Sequence, residues 1–548
     1  RTQFGAYTFN GIANFAAGNY YQFDLYQPAP GYTINDVAAQ WTLNQWGFFA
    51  QDTWQVNDRL SLQYGLRYDL PKTSDVPIYN AAFESAFGFS NTNTIDGNGL
   101  LQPRLSFNYQ FDQEHLAQLR GGVGLFQGQA LGVWLTNPYQ NNGLTVATYS
   151  IRNSANDPLV SGQFPFSGDP YNQNVPPPSS SQMQVDTLAP GFRQPSVWKA
   201  TLGFDKELPF GGIIASVEWE GLRVKDGIFY RNLNIGAPTG VLPDGRLSFY
   251  CNPTGGTGGN TSRCNANPAF AQAVTVLDNT NKGKANYVTF SLKRPFQDNW
   301  SWSVAFTTGN ATEVNPGTSS QASSNFSNSA WVNPNEDIAS TSNYAINNRL
   351  NASFSWQHKF FGDYNTTVSA FYDGHTGQVY SWVFGNDANG DSYSTDLVYI
   401  PKQGDVSFTG STTQQVIDEF YAYIAQDPYL RAHQGSIAGR NGDHSPWVNR
   451  FDLSLRQELP GFMKGHKAEL RFDIYNFLNL LNKKWGQEER IFFPYGRTLA
   501  SYSGVDANGK YIYSLPTSGG HYAPEQLGVY DTNAISRWQV RVTLRYEF

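Results

Sequence analysis

Alternation of apolar and polar side chains at every second residue is the feature that most narrows the fold of this sequence. In SLQYGLRYDL, Leu62, Tyr64, Leu66, Tyr68 and Leu70 fall on one side, with Gln63, Arg67 and Asp69 on the other. In PRLSFNYQF, Leu105, Phe107, Tyr109 and Phe111 oppose Arg104, Ser106, Asn108 and Gln110. Successive side chains of a strand point to opposite faces, so this pattern predicts strands with one apolar and one polar face. About fourteen segments carry it, near residues 1–10, 44–56, 59–70, 103–112, 118–127, 196–208, 212–222, 284–295, 299–310, 345–360, 364–374, 446–459, 467–480 and 538–548.

The connections between these segments alternate in length. Short turns fall around Asn57-Asp58, Asp112 to Ala117, Pro209 to Gly211, Gln297 to Asn299, Phe361 to Asp363 and Pro460 to His466. Long polar loops fall near 11–43, 71–102, 128–195, 223–283, 311–344, 375–445 and 481–537. This asymmetry predicts an all-β fold, a transmembrane up-and-down antiparallel β-barrel with tight periplasmic turns and long extracellular loops. A soluble sandwich has no reason to gather its long loops at one end. Each segment also has the roughly 9–11 residues that a tilted strand needs to cross a bilayer.

The bilayer accounts for the two faces. Lipid offers the backbone no hydrogen-bond partners, so a spanning sheet must close on itself. The apolar faces then meet hydrocarbon and the polar faces line a lumen. Trp54, Trp198, Trp300, Trp302, Trp356, Trp447 and Trp538 lie near strand ends, where interfacial girdles belong. Arg67, Asp69, Arg104, Glu218, Glu220, Arg450, Asp452, Arg456, Glu469, Arg471, Asp473, Arg541 and Arg545 are expected to face the lumen, as cross-strand ion pairs and plug contacts. With Phe548 on the periplasmic side the last strand runs inward, and counting back places every long loop outside.

Composition removes several other classes. A net charge of −7 gives no basic footprint for nucleic acid. No uninterrupted apolar run has the length of a membrane helix. No glycine-rich phosphate loop, Ser-His-Asp set, Cys-His set or convincing carboxylate pair stands out, so an enzyme is not expected. The chain starts at Arg1 without an initiator Met or a signal peptide, which is expected of a mature or truncated fragment.

A few stretches carry chemistry of their own. Cys251 and Cys264 are the only cysteines, in FYCNPTGGTGGNTSRCN, and a disulfide is expected in an oxidising compartment; two unrelated thiols are the alternative. FGNDANGDSYSTDLVYIP places Asp387, Asn389 and Asp391 at alternate positions, with Asp396 further on. Such spacing lets oxygen ligands converge on a hard cation such as calcium, with Gly390 easing the turn. It departs from an EF-hand, because Val398 stands where the bidentate Glu belongs, and an Asx-rich turn without metal is the competing reading. Val416, Ile417, Phe420, Tyr421 and Ile424 share one helical face within Thr413 to His433, as expected of loop core near the barrel mouth. His375, His433, His444 and His521 are scattered through the loops without ligand spacing, as surface histidines are.

Several of these stretches resemble a known family. YGLRYD, NTIDGNGLLQPRLSFNY, LRGGVGLFQG, NRFDLSLRQELPGFMKGHKAELRFDIYNFLNLLNKKWG and the terminal aromatic resemble the barrel of TonB-dependent outer-membrane receptors, most closely the Oar-like branch. The Asp387–Asp396 segment is also similar to a loop of related receptors. The resemblance covers essentially the whole chain, residues 1–548, and its longest stretch is Asn449 to Gly486. It implies a barrel of about 22 strands around a plug, coupled through an N-terminal box to the TonB complex. Neither plug nor box is in this sequence, so the expectation is the C-terminal part of such a barrel; a complete 14-stranded channel of the fatty-acid type is the rival. The implied function is TonB-dependent uptake or export of a bulky extracellular ligand, with no cofactor beyond possible calcium. An adhesin or interaction barrel, a passive porin-like channel, and a soluble carbohydrate-binding protein are the alternatives. The resemblance further implies that Trp538, Val540, Val542, Leu544, Tyr546 and Phe548 are read by the barrel assembly machinery as an insertion signal.

Overall fold

Thirteen of the alternating segments join edge to edge in the computed structural model, which describes residues 5–111, 114–130, 132–152, 164–174, 182–252, 260–463 and 465–548. In chain order they are β1 (Asn44–Asn57), β2 (Leu60–Lys72), β3 (Leu100–Gln110), β4 (Ala117–Gln127), β5 (Ser196–Glu207), β6 (Ile214–Asn232), β7 (Lys284–Gln297), β8 (Trp300–Glu313), β9 (Asn348–Phe361), β10 (Tyr364–His375), β11 (Val448–Pro460), β12 (Lys467–Tyr475) and β13 (Gln539–Glu547). Each pairs antiparallel with the next, so spatial order is chain order. Among the described residues β1 pairs only with β2 and β13 only with β12, so the sheet does not close.

Turn chemistry explains the short connections. Asp298 and Asn299 both adopt positive φ between β7 and β8, the conformation of a two-residue hairpin turn whose twist matches the flanking strands. The Asn57 side chain accepts the amides of Arg59 and Leu60 at 2.9 and 3.0 Å, and so closes the β1–β2 turn.

The register confirms the two faces. Val217, Phe290, Phe306 and Leu350 stand side by side across β6 to β9. One position along, Glu218, Thr289, Thr307 and Arg349 form the matching polar row. Large exposed apolar side chains recur on the first face, among them Leu105, Leu202, Leu292, Val304 and Val368. Trp54, Trp300 and Trp356 lie at the short-turn ends, and Trp198, Trp447 and Trp538 at the long-loop ends. The tryptophans therefore form two levels.

Two expectations are corrected. Among the described residues the segment near 1–10 is not part of the wall. Of residues 5–10 only Ala6–Thr8 is extended, and it pairs with Gln22–Pro28, which pairs in turn with Val146–Arg152. The alternation there serves a small aromatic cluster instead: Tyr7 stacks on Phe23 with centroids 4.2 Å apart and meets Tyr20 edge-on at 5.0 Å. Among the described residues the wall thus has thirteen strands rather than fourteen. Further on, β12 stops at Tyr475 rather than near 480, because Asn476 turns left-handed and donates its amide to Asp452 at 2.7 Å. Phe477–Leu481 then forms a helical turn.

The apolar core lies among the long loops. One cluster gathers Tyr250, Trp382, Phe384, Ile400, Leu499 and Tyr513; another gathers Leu135, Phe192, Tyr230, Phe326 and Trp331. A five-stranded sheet made by Val379–Phe384, Ser407–Phe408, Asp443–His444, Gly496–Val505 and Tyr511–Ser514 organises the first. Helix α1 (Gln414–Gln426) packs on it through Val416, Phe420 and Ile424. Thr413 caps α1 by accepting the Val416 amide. Long loops with a core of this size form a folded cap at one end of the sheet.

Candidate functional site

Two features of the molecule carry chemistry: the polar face of the wall, and a buried carboxylate cluster in the cap.

On the wall, charges pair across and along strands. Arg120 of β4 stands opposite Gly203, which stands opposite Glu218. With no side chain between them, Arg120 reaches Glu218 at 2.5 Å and Asp205 at 3.1 Å. Further pairs are Arg67–Asp69 at 2.7 Å, Lys199–Glu220 at 2.8 Å, Arg349–Asp373 at 2.8 Å, Arg456–Glu469 at 3.6 Å and Arg471–Asp473 at 2.7 Å. Gln102 donates to Asp69 and accepts from Arg104. Arg541 sits opposite Asp473, and Arg545 opposite Glu469. The polar face is therefore a ladder of ion pairs across and along strands.

In the cap, the segment after Phe384 turns back on itself and brings Asp387, Asp391 and Asp396 together, one carboxylate oxygen of each within 4.8 Å of the others. Short-range contacts set the turn. Asp387 accepts the Gly390 amide at 2.6 Å and the Ser392 amide at 2.8 Å. Asn389 accepts the Asp391 amide at 2.9 Å. Asp391 accepts the Tyr393 amide at 2.8 Å, and Asp396 the Ala388 amide at 2.8 Å. Gly390 has φ +83°, and a Cβ there would lie 2.6 Å from the Tyr250 nitrogen, so glycine is required for both conformation and space.

The cluster lies deep. Asn389 is 0% exposed, and Asp391 and Asp396 are each 1% exposed. Oδ2 of Asp391 has no hydrogen-bond partner, nor has Oδ1 of Asp396. Burial pushes the Asp391 carboxyl well above its usual range, and the Asp396 and Asp387 charges push it further. Burial likewise raises Asp387 and Asp396, offset in Asp396 by Arg246.

Residues of the 233–283 loop complete the surroundings, and sequence reasoning missed them. Arg246, fully buried, pairs with Asp244 at 2.7 Å, donates to the Leu397 carbonyl at 2.6 Å, and lies 3.7 Å from Oδ1 of Asp396. Ser262 donates to Asp387 at 3.2 Å, and the Arg263 amide donates to the Gly390 carbonyl at 2.8 Å. Cys251 and Cys264 are disulfide-bonded, with Cα atoms 4.9 Å apart, which ties this loop beside the cluster. Asp244 and Arg246 are more than 130 positions from the motif, and no local spacing signals them.

The four histidines expected in the loops are not brought into a ligand set, and one of them, His375, is instead the last residue of β10. His375, His433 and His444 bond the carbonyls of Thr376, Tyr429 and Ser445, and His521 bonds Glu419. Of the residues expected to form an assembly signal, Val540, Val542 and Leu544 point from β13 on its apolar side, and Phe548 is 98% exposed.

A long antiparallel sheet with an apolar outer face, a charge-paired inner face and two aromatic levels defines an outer-membrane β-barrel protein. The chain belongs to the outer membrane beta barrel domain family, whose model matches residues 1–484. It is a protein of the bacterial outer membrane. No curated protein matches the sequence. Among solved structures, the outer membrane transporter YddB from Escherichia coli is similar at 11% identity over 86% of this chain and 43% of that chain, with a TM-score of 0.43. A mutant of the ferric enterobactin receptor PfeA from Pseudomonas aeruginosa is similar at 12% identity over 96% of this chain and 50% of that one, with a TM-score of 0.40. A Pseudomonas aeruginosa FadL homologue is similar at 8% identity over 78% and 69%, with a TM-score of 0.21. The chain spans about half the length of the first two.

Proposed function

We propose that this chain forms the larger part of the wall, and the extracellular cap, of a TonB-dependent transport receptor of the Oar-like branch. The observation that carries the reading is the polar face: paired charge on seven strands has no place in lipid, and suits a water-filled or plugged lumen. The folded cap above it would select a bulky extracellular ligand.

The unpaired edges bear on closure. β1 leads into a short turn and β13 follows a long loop, so both run toward the short-turn side. Direct pairing of β1 with β13 would be parallel. Antiparallel closure needs an odd number of further strands, giving an even total as in bacterial single-chain barrels. Nine would complete a barrel of about 22 strands. A plug and a TonB-coupling segment belong to the same proposal.

The test uses the full-length protein. Purified and placed in planar bilayers, a plugged receptor gives no steady conductance, and it captures the TonB protein in a pull-down. Steady ohmic conductance without TonB capture would replace this reading with a passive channel. Neither conductance nor capture, with adhesion of cells to a surface, would favour an interaction barrel.

A further inference from the structure

The buried carboxylates of the cap are costly to assemble. Asp244, Asp387, Asp391 and Asp396 face two guanidiniums, those of Arg246 and Arg263. With all four carboxyls ionised, two negative charges are left over in a cluster whose Asp391 and Asp396 are each 1% exposed. Arg246 is shared: it pairs with Asp244 at 2.7 Å and donates to the Leu397 carbonyl at 2.6 Å, while its Nη1 stands 3.7 Å from Oδ1 of Asp396, beyond hydrogen-bond distance. Buried charge without a partner is strongly unfavourable, and so is a buried oxygen without a donor. Oδ2 of Asp391 and Oδ1 of Asp396 each lack a donor, and the Arg246 guanidinium stands 3.7 Å from the latter.

We propose that Asp387, Asn389, Asp391 and Asp396 form a calcium site that clamps the 376–447 loop to the 233–283 loop. The spacing fits the ion. Calcium binds oxygens at about 2.3–2.6 Å, so ligands on opposite sides of it lie up to about 5 Å apart; one carboxylate oxygen each of Asp387, Asp391 and Asp396 lies within 4.8 Å of the others. Magnesium, at about 2.0–2.1 Å, requires a tighter set and retains several waters, and a site buried to this depth does not supply them. The ligands are all oxygens, which excludes the softer metals' preference for thiolate and imidazole. A divalent cation also brings the local charge to zero.

Occupancy would have a structural consequence. The turn that holds the ligands accepts the Phe249 amide through the Asn389 carbonyl at 2.7 Å and the Arg263 amide through the Gly390 carbonyl at 2.8 Å. Tyr250 donates to the Asp387 carbonyl at 2.9 Å. The ion would therefore lock the disulfide-bonded loop against the five-stranded cap sheet. Outside the cell calcium is plentiful, and extracellular sites of about 10⁻⁴–10⁻³ M affinity are filled there.

The experiment takes the full-length protein in detergent, stripped with EDTA, and titrates it with terbium(III). Tyr250 and Tyr393 lie beside the ligands and sensitise the bound lanthanide. The expected result is saturable luminescence, displaced by calcium and only at far higher concentration by magnesium, with calcium protecting the cap from protease. Asp391→Asn should weaken binding roughly tenfold or more, because affinity follows ligand charge; Asp363→Asn, in a β9–β10 turn, should change nothing. Should Asp391→Asn fail to fold, Asp387→Asn at the less buried edge of the cluster gives the same reading. Absence of calcium-displaced luminescence overturns the proposal, as do foldable variants that bind like the parent. Transport plays no part in these readouts, so either failure leaves the receptor reading standing.

Discussion

Replacing Phe290 with lysine should destabilise the barrel far more than replacing its neighbour Thr289. The β7 strand has 14 residues, which at about 3.3 Å each span roughly 46 Å, or about 33 Å along the membrane normal at a tilt near 45°. Position 290 is near its middle and therefore near the bilayer midplane. Phe290 is 53% exposed and stands between Val217 and Phe306 on the apolar face. A lysine on the lipid face at that depth costs about 2–4 kcal/mol. At 3 kcal/mol the folded-to-unfolded ratio falls about a hundredfold. Thr289 faces the other way, between Glu218 and Thr307, and its hydroxyl bonds Thr307 at 2.9 Å. Thr289→Lys loses that bond, about 1 kcal/mol, and gains a partner in Glu218. The assay is urea unfolding of full-length protein in phosphatidylcholine vesicles, read by heat-modifiable migration on a gel. Equal losses at the two positions, or a larger loss at 289, would refute the assignment of the two faces.

Three other outcomes are expected. Arg440 is buried and donates to the carbonyls of Val314 at 2.6 Å and Glu313 at 2.5 Å, and burial pushes its pKa down to about 10; Arg440→Met orphans those carbonyls and should cost the cap about 2–4 kcal/mol, seen as faster hydrogen exchange in residues 314–347 and 376–447 with the wall unchanged. Gly309→Val should disrupt β7–β8 pairing at the loop end, because a Cβ there would lie 2.1 Å from the Asn286 carbonyl oxygen; the expected loss exceeds about 2 kcal/mol in the same vesicle assay, and a smaller one would mean that the strands separate freely at that point. Deleting Phe548 removes a side chain that is 98% exposed, so equilibrium stability should stay within about 0.5 kcal/mol while insertion into the outer membrane slows, as pulse-chase protease protection would show.

The wall was legible in the sequence because one physical constraint acts on every strand. Lipid on one side and water on the other impose period two locally, so Leu62 to Leu70 or Val540 to Leu544 can be read without knowing their neighbours. The segment near 1–10 failed for the same reason in reverse. Period two also arises when a short extended stretch packs on a local aromatic cluster, as Tyr7 does on Phe23, and nothing within ten residues distinguishes the two. Its connection does: Ala6–Thr8 is followed by a five-residue helix and a return strand, not by a membrane-length hairpin.

The cap divides in the same way. Asp387, Asn389 and Asp391 were visible because they come from one turn, where backbone amides at fixed offsets dictate the residue types. Their depth was not visible. It depends on Tyr250, Arg246 and Tyr502, contributed by loops that the chain reaches only after crossing the wall several times. A turn at the surface would have solvated these carboxylates and left a metal optional. Packing three loops over them removes that freedom, and Arg246, which also pairs with Asp244 and stands 3.7 Å from Asp396, offsets only part of the charge that remains. The fold of the cap, more than the D-x-N-x-D spacing alone, thus creates the need for a bound cation.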